Sequence, residues 1–270
     1  MNAADSDYKP GLDLVVVNYR TPGDLADFLA SVVDAAIGVD FGLTVANVDP
    51  ADGDRRVVKD WTRKLDLGYV EFKDNVGYAT AINRGVARGE REVVVALNAD
   101  VRIRTGVIDA CHQALMGNDD WGVLGPRQVD SEGRFTHAGI FGTRSAPRHR
   151  GWKERDDGRL YRDVMDAVTV SGSAYFAKRA VWDELAACPT YKEVAPNAEG
   201  AFLPTQHYYE ETWASYHAAS HGYRVMYYGF ETLVHEWHRA STIGGHADQQ
   251  MTASRERFRR ACDVHGIEHD

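Results

Sequence analysis

Asn98 and Asp100 close a run of apolar residues, VVVALNADV at 93–101. The run reads as a strand buried on both faces. In an extended chain the side chains at i and i+2 leave on the same side, so an amide and a carboxylate emerge together at the strand's carboxyl end. Open α/β sheets bind their ligands at such ends. Hard oxygen donors there suit Mg2+ or Mn2+ carrying a phosphate. A plain strand-terminal turn is the other reading, because Asn and Asp favour turns. A second acidic pair, Glu210-Glu211, opens a helical stretch, where carboxylates are favoured on electrostatic grounds alone. His235 stands in VHEW; eight of the eleven histidines lie at or after His207, so a histidine there is not by itself a ligand. The spacing of HEWH differs from HExxH and argues against a zinc protease.

Positioning these groups requires a layered scaffold, and the first hundred residues have the pattern for one. Apolar strands are expected at 12–19, 43–48, 69–72 and 93–101. Helices are expected from Thr21-Pro22 to near Gly38, with an N-cap and Pro at N1, around 57–64, and over 78–88. This β-α alternation predicts a parallel sheet covered by helices. Right-handed crossovers bring the four strand ends, with Tyr19, Asp49, Asp74-Asn75 and Asn98–Asp100, to one edge. No GxGxxG follows the first strand and no GxxxxGK[ST] occurs, which excludes the dinucleotide fingerprint and the P-loop. The second half is less regular. A helix is expected over 105–115, a strand over 121–126, and hairpins and loops over 127–165. A strand, a bend and a strand-to-helix passage follow over 166–185, then a flexible loop over 188–207. A helix from Tyr208 is closed by Gly222 and followed by a strand. A charged helix at 247–264 turns Met251, Phe258 and Ala261 inward.

The 270 residues suffice for one large domain, and 44% hydrophobic with 26% charged residues fits a globular protein with a core. No stretch is long and apolar enough to span a membrane. The polar start MNAADSDYKPG lacks the pattern of a signal peptide. Three widely spaced cysteines, Cys111, Cys188 and Cys262, form neither a disulfide framework nor a CxxC knuckle, and a cytoplasmic setting is expected. The net charge of −9 argues against a broad nucleic-acid surface, although Arg144, Arg148, Arg150, Lys153 and Arg155 form a local basic cluster.

The motifs LVVVNYR, VDPADGD, DNVGYATAINRGV, LNADV, LGPR, VSGSAYFAKRAVWDEL, YYEETWASYHAASHGYRV and VHEW follow one another in this order. In that order and spacing the chain resembles the inverting GT-A fold glycosyltransferases of family two, most of all their rhamnosyltransferase-like members, over residues 12–240. The resemblance implies an α/β, Rossmann-like nucleotide-diphospho-sugar transferase fold with a mostly parallel central sheet. It implies a tail at 1–11, a single domain at 12–245 with a nucleotide-binding half (12–104) and an acceptor-binding half (105–245), and a C-terminal helix at 246–270.

It implies a UDP-, dTDP- or GDP-sugar donor, with Tyr19 near the base and Asp49 accepting an imide N–H. Asn75, Gly77 and Asn83 match a donor-binding signature, with Ile82 where some members carry Arg. Asn98 and Asp100 match the metal-binding D-x-D position, with Asp100 and His235 as ligands to Mn2+ or Mg2+ and Asn98 toward the ribose or metal shell. Gly172 lies under the donor sugar, and Glu211 is the general base. Trp213 and Trp237 either flank the acceptor or belong to the core. The acceptor is a hydroxyl of a glycan, a protein or a modified nucleobase, selected by 127–165 and 188–207. The C-terminal helix leaves a homodimer open. Asn98 and Glu211, where the family carries Asp, also keep open a catalytically silent nucleotide- or glycan-binding module. A nucleotidyltransferase is disfavoured because NYRTPGD has no Gly-rich basic loop.

Overall fold

The computed structural model describes residues 8–237 and 247–269. In the first half β1 (Lys9–Tyr19), α1 (Pro22–Asp34), β2 (Phe41–Val48), α2 (Asp52–Trp61), β3 (Leu67–Phe72), α3 (Tyr78–Val86) and β4 (Arg91–Asn98) alternate as expected. These strands are mutually parallel in the order β4-β1-β2-β3. β1 and β4 lie inside the sheet, and their period-two alternation divides the core. Leu14, Val16, Val95 and Leu97 pack on one face with Phe28 and Leu29 of α1. Val15, Val94 and Ala96 pack on the other with Ile82 and Val86 of α3.

The second half contributes β5 (Val101–Arg102), α4 (Val107–Met116), β6 (Trp121–Val129), β7 (Phe135–His137), β8 (Ile140–Thr143), β9 (Ala146–His149) and β10 (Val164–Asp166). After these come β11 (Ala174–Lys178), α5 (Arg179–Ala187), α6 (Pro189–Val194), α7 (Glu210–Ser220), β12 (Arg224–His235) and α8 (Ala247–His265). β11 runs antiparallel between β4 and β6, and β12 runs parallel to β6, so the sheet of ten strands is mixed. Buried Asp13 of β1 ties the layers together through Arg179 at 2.8 Å and Arg91 at 3.3 Å. No helix among the described residues is long and apolar enough to cross a membrane.

Several boundaries differ from expectation for local physical reasons. β1 begins at Lys9, inside the stretch read as a tail; residues 1–7, and the boundary placed at 245–246, lie outside the described residues. β4 stops on Asn98 as expected, but the chain then resumes as the short β5. α2 starts at Asp52 because the Asp54 carboxylate accepts the Ala51 N–H at 2.9 Å and caps the helix earlier than the apolar pattern suggests. Residues 189–194 form α6, started by Pro189, where a loop was expected. α7 starts at Glu210 because Tyr208 and Tyr209 hold left-handed φ values of 69° and 70°. In α8, Phe258 and Ala261 are buried but Met251 is 43% exposed, so Met251 does not belong to the inner face.

Candidate active site

The carboxyl ends of β1 and β4 open into a cleft of about 730 Å³, closed on its far side by the start of α7 and by α8. Tyr19, Asn75, Gly77, Asn98, Asp100, Gly172, Glu211 and His235 all line it. Asp49 and Asn83 do not.

At the centre, the antiparallel pairing of His235 with Val101 brings the end of β12 against the turn that carries Asp100. His235 Nε2 lies 3.4 Å from Asp100 Oδ1, and both residues are buried. Neither ring nitrogen of His235 has a hydrogen-bond partner among the described residues. A buried imidazole left in that state is costly, and a cation held between it and a carboxylate removes the cost. The carboxylate suits Mn2+ or Mg2+, and the imidazole, a donor to first-row transition metals, favours Mn2+ of the two. Asn98 stands beside them, its backbone N–H donating to the Ser173 carbonyl at 3.1 Å.

Facing this pair is the acidic start of α7. Glu210 is buried and accepts from the Thr205 hydroxyl at 3.0 Å. Burial pushes its carboxyl well above the usual range, and the neighbouring Glu211 charge pushes it further. Burial raises Glu211 as well. The Glu211 side chain runs past Gly172, where an added Cβ would sit 3.4 Å from Oε2. Gly172 thus keeps the cleft open beside the carboxylate, and its carbonyl accepts from the Tyr78 hydroxyl at 2.6 Å. The Tyr78 hydroxyl is pushed up by burial and by the charges of Glu210, Glu211 and Asp100. Three carboxylates therefore act on one point of the cleft, an arrangement that favours a bound cation.

At the outer end, Tyr19 lies over the end of β1, and the Asn75 side chain accepts the Gly77 N–H at 3.1 Å. Gly77 has φ +80°, and a Cβ there would lie 2.8 Å from the carbonyl oxygens of Thr205 and Gln206. Its glycine is thus required by packing of the 205–206 segment over α3. Asp49, at φ 45°, sits at the rim, with its carboxylate paired to Arg20 Nη2 at 2.7 Å. Beneath lies a polar network that the motif reading missed. Asn18 Nδ2 donates to Asn47 Oδ1 and Asp54 Oδ1, both at 2.8 Å, and Thr21 donates to Asn18 Oδ1 at 2.9 Å. These buried groups fix the ends of β1 and β2 to each other and to α2.

Asn83, the third member of the donor-binding signature, has a structural role in the fold. Its Nδ2 donates to the Phe202 carbonyl at 2.8 Å and its Oδ1 accepts the Phe202 N–H at 3.2 Å. Both ends of the buried amide help to hold the 200–205 segment on α3, and Asn83 is not among the residues that line the cleft. Asn83→Ala is expected to cost about 1–3 kcal/mol of stability, from the buried Phe202 N–H it leaves unpaired, while the Phe202 carbonyl keeps the Tyr191 hydroxyl at 2.9 Å; nucleotide affinity should be unchanged. Chemical denaturation beside calorimetry separates the two.

The cleft's other wall comes from the irregular 127–165 stretch. It presents His137 and His149, and a Trp152–Trp237 edge contact with ring centroids 4.5 Å apart. Burial lowers His137 to about 3, which keeps the imidazole neutral. Trp213, by contrast, is fully buried and belongs to the core. Within the basic cluster, Arg150 is paired with Asp163 at 2.7 Å and packed over Phe141, Tyr161 and Tyr227, so it holds the loop together and does not form part of an open basic groove.

Comparison with known proteins adds a family to this geometry. The model of glycosyl transferase family 2 matches residues 13–177. A hyaluronan synthase from Pasteurella multocida is 25% identical over 124 residues, 45% of this chain and 13% of that protein. The fold is similar to that of the mannosyltransferase PcManGT from Pyrobaculum calidifontis in complex with GDP-Man and Mn2+, with a TM-score of 0.61 and 15% identity over 94% of this chain and 65% of that one. It is also similar to GalNAc-T7 with UDP, GalNAc and Mn2+, with a TM-score of 0.61 and 11% identity over 83% of this chain and 43% of that one. The chain thus spans only part of the length of these relatives. The central mixed sheet flanked by helices is the GT-A fold.

Proposed function

The chain belongs to glycosyl transferase family 2, and from that membership we propose that it is a metal-dependent, inverting glycosyltransferase. It moves a hexosyl or deoxyhexosyl group from a UDP-, dTDP- or GDP-sugar to a hydroxyl acceptor. The observation that carries the reading is the convergence of Asp100, His235, Glu211 and Gly172 on one cleft at the carboxyl ends of β1 and β4. Two fold relatives bound to Mn2+, one with GDP-Man and one with UDP and GalNAc, support a nucleotide-sugar donor and a divalent metal in general.

In this reading residues 12–104 hold the nucleotide and 105–245 receive the acceptor. Tyr19 stacks on the base, and Asp49 accepts an imide N–H once it shares or releases Arg20. Asn75 orders the Gly77 turn beside the phosphates. Asp100 and His235 hold the Mn2+ or Mg2+, with Asn98 beside them; the ion supplies neutralisation of charge on the departing nucleoside diphosphate. Gly172 leaves room for the donor sugar. Glu211 takes the acceptor's proton as the acceptor oxygen bonds to the anomeric carbon and the bond to the diphosphate oxygen breaks. His137, Trp152 and Trp237 form the acceptor wall, since aromatic faces suit sugar rings. The test is incubation with UDP-, dTDP- and GDP-sugars, Mn2+ and a panel of glycan acceptors. Nucleoside diphosphate release and the anomeric configuration of the product are followed by NMR. Retention would overturn inversion, and metal-dependent binding with no turnover on any donor would favour a silent binding module.

The raised carboxyls give a pH signature. Glu211 acts as a base only when ionised, so kcat is expected to fall on acidification with a midpoint above the ordinary glutamate value of 4.5. Stability moves in the opposite sense. A carboxyl whose folded pKa is raised contributes fully below its unfolded pKa, and that contribution is lost as pH rises through the folded value. Thermal midpoints of the metal-free protein should therefore decline as pH rises above the ordinary carboxylate range. Glu210→Gln should flatten that decline, since it removes one of the two raised carboxyls and the charge that acts on the other.

A further inference from the structure

The last turn of α8 carries His265 to a place where two other elements meet. There, Cys188 at the α5–α6 junction, His217 on α7 and His265 present ligand atoms that all lie within 4.8 Å of one another. None of the three lines the cleft. His217 is fully buried, and neither of its ring nitrogens has a hydrogen-bond partner. His265 Nδ1 lies 2.9 Å from the Ala261 carbonyl oxygen, so Nδ1–H donates there and the lone pair is left on Nε2, which is buried and has no partner. An outer hydrogen bond that fixes the tautomer and aims the other nitrogen inward is how metal-binding imidazoles are held. Three buried nitrogens without partners beside a thiol are hard to account for as packing alone.

We propose that Cys188, His217 and His265 bind one zinc ion, which clamps α8 onto α7 and the α5–α6 junction. A thiolate with two imidazoles selects zinc over the harder Mg2+ and Mn2+ suited to Asp100. Zn–N and Zn–S bonds of about 2.0–2.3 Å put tetrahedral ligand atoms about 3.3–3.8 Å apart, so the three atoms need to close by about 1 Å. A water takes the fourth position, since His221 is not among the residues whose ligand atoms converge here. The clamp has a consequence for the cleft. α7 begins with Glu210-Glu211, and α8 lines the cleft with Gln250, Met251 and Phe258, so fixing one helix on the other fixes a wall against the acidic pair.

The test uses the full chain, stripped with a chelator and titrated with Co2+ and with Zn2+. One equivalent of Co2+ is expected to give a thiolate-to-cobalt charge-transfer band and the intense visible bands of a tetrahedral site. Zn2+ should bleach both and raise the thermal midpoint. Cys188→Ser should lose the charge-transfer band and the rise with zinc. Asp100→Asn should keep both, because the cleft offers no thiolate. Should Cys188→Ser fail to fold, His265→Gln on the last turn of α8 provides the second readout, with loss of the tetrahedral visible bands. Absence of the charge-transfer band from the wild type, or its survival in Cys188→Ser, overturns the proposal. So would unchanged tetrahedral bands in His265→Gln.

Discussion

Glu211→Gln is expected to lower kcat by about 10²–10⁴-fold, the usual worth of a positioned general base, while metal-dependent affinity for the nucleoside diphosphate is unchanged. The neutral amide keeps the shape of the side chain beside Gly172 and removes only the capacity to take a proton. Glu210 is poorly placed to substitute. It is more deeply buried and is held by the Thr205 hydroxyl at 3.0 Å. Glu210→Gln should consequently cost far less rate. Initial rates at saturating donor and acceptor, beside calorimetric titration of the nucleotide with Mn2+, read the two effects separately. A Glu211→Gln enzyme with full transfer rate sinks the assignment of the base. A loss confined to nucleotide affinity would move Glu211 from the reaction to the donor site.

How much of this was legible in the sequence depended on whether local pattern or long-range contact decides a residue's place. The strand runs of β1, β2 and β4 are uninterrupted apolar segments separated by amphipathic helices, and they fold as read because both faces of the sheet are covered. Asp100 was legible for the same reason, since the end of a buried strand is a fixed point. Asn83 was not. Its amide pairs with Phe202, 119 residues away, and no local pattern distinguishes that clamp from a ligand contact. The Asn18–Asn47–Asp54 network was hidden likewise. Each residue looks like a turn or strand-end polar group until β1, β2 and α2 are brought together. The wall at 127–165 lacked signal because its strands are three or four residues long, and contacts such as Arg150 over three aromatic rings hold them more than backbone propensity does. Cys188, His217 and His265 are separated by too many residues for any spacing rule to join them.

The acidic cleft also has an energetic logic. Asp100, Glu210 and Glu211 all act on the Tyr78 hydroxyl, and among carboxylates brought so close some must be protonated or a cation must intervene. Burial raises Glu210 and Glu211, whereas Asp100 has a buried imidazole 3.4 Å away. The cleft therefore separates its carboxylates into two kinds. In the proposed reaction one accepts a proton and the other holds a cation. The separation follows from which strand end or helix start each occupies.

Asp100→Ala tests the second kind. It is expected to weaken Mn2+-dependent binding of the nucleoside diphosphate by about 10²–10³-fold, taking the ion's contribution as several kcal/mol at 1.4 kcal/mol per tenfold. Binding measured without metal should barely change, because Tyr19, Asn75 and the Gly77 turn are untouched. That pattern is the reverse of the one expected for Glu211→Gln, so the two variants divide the cleft into a donor-holding part and a proton-accepting part. His235→Ala should show the same metal-linked loss to a smaller degree, since a neutral ligand leaves while the charge of Asp100 remains. Asn98 sharpens the test. Asn98→Asp adds a second carboxylate at the strand end, which should raise cation affinity and lower the stability of the metal-free protein through repulsion with Asp100. If Asp100→Ala binds nucleotide as well with Mn2+ as the wild type does, the ion is held elsewhere and the pairing of Asp100 with His235 is structural.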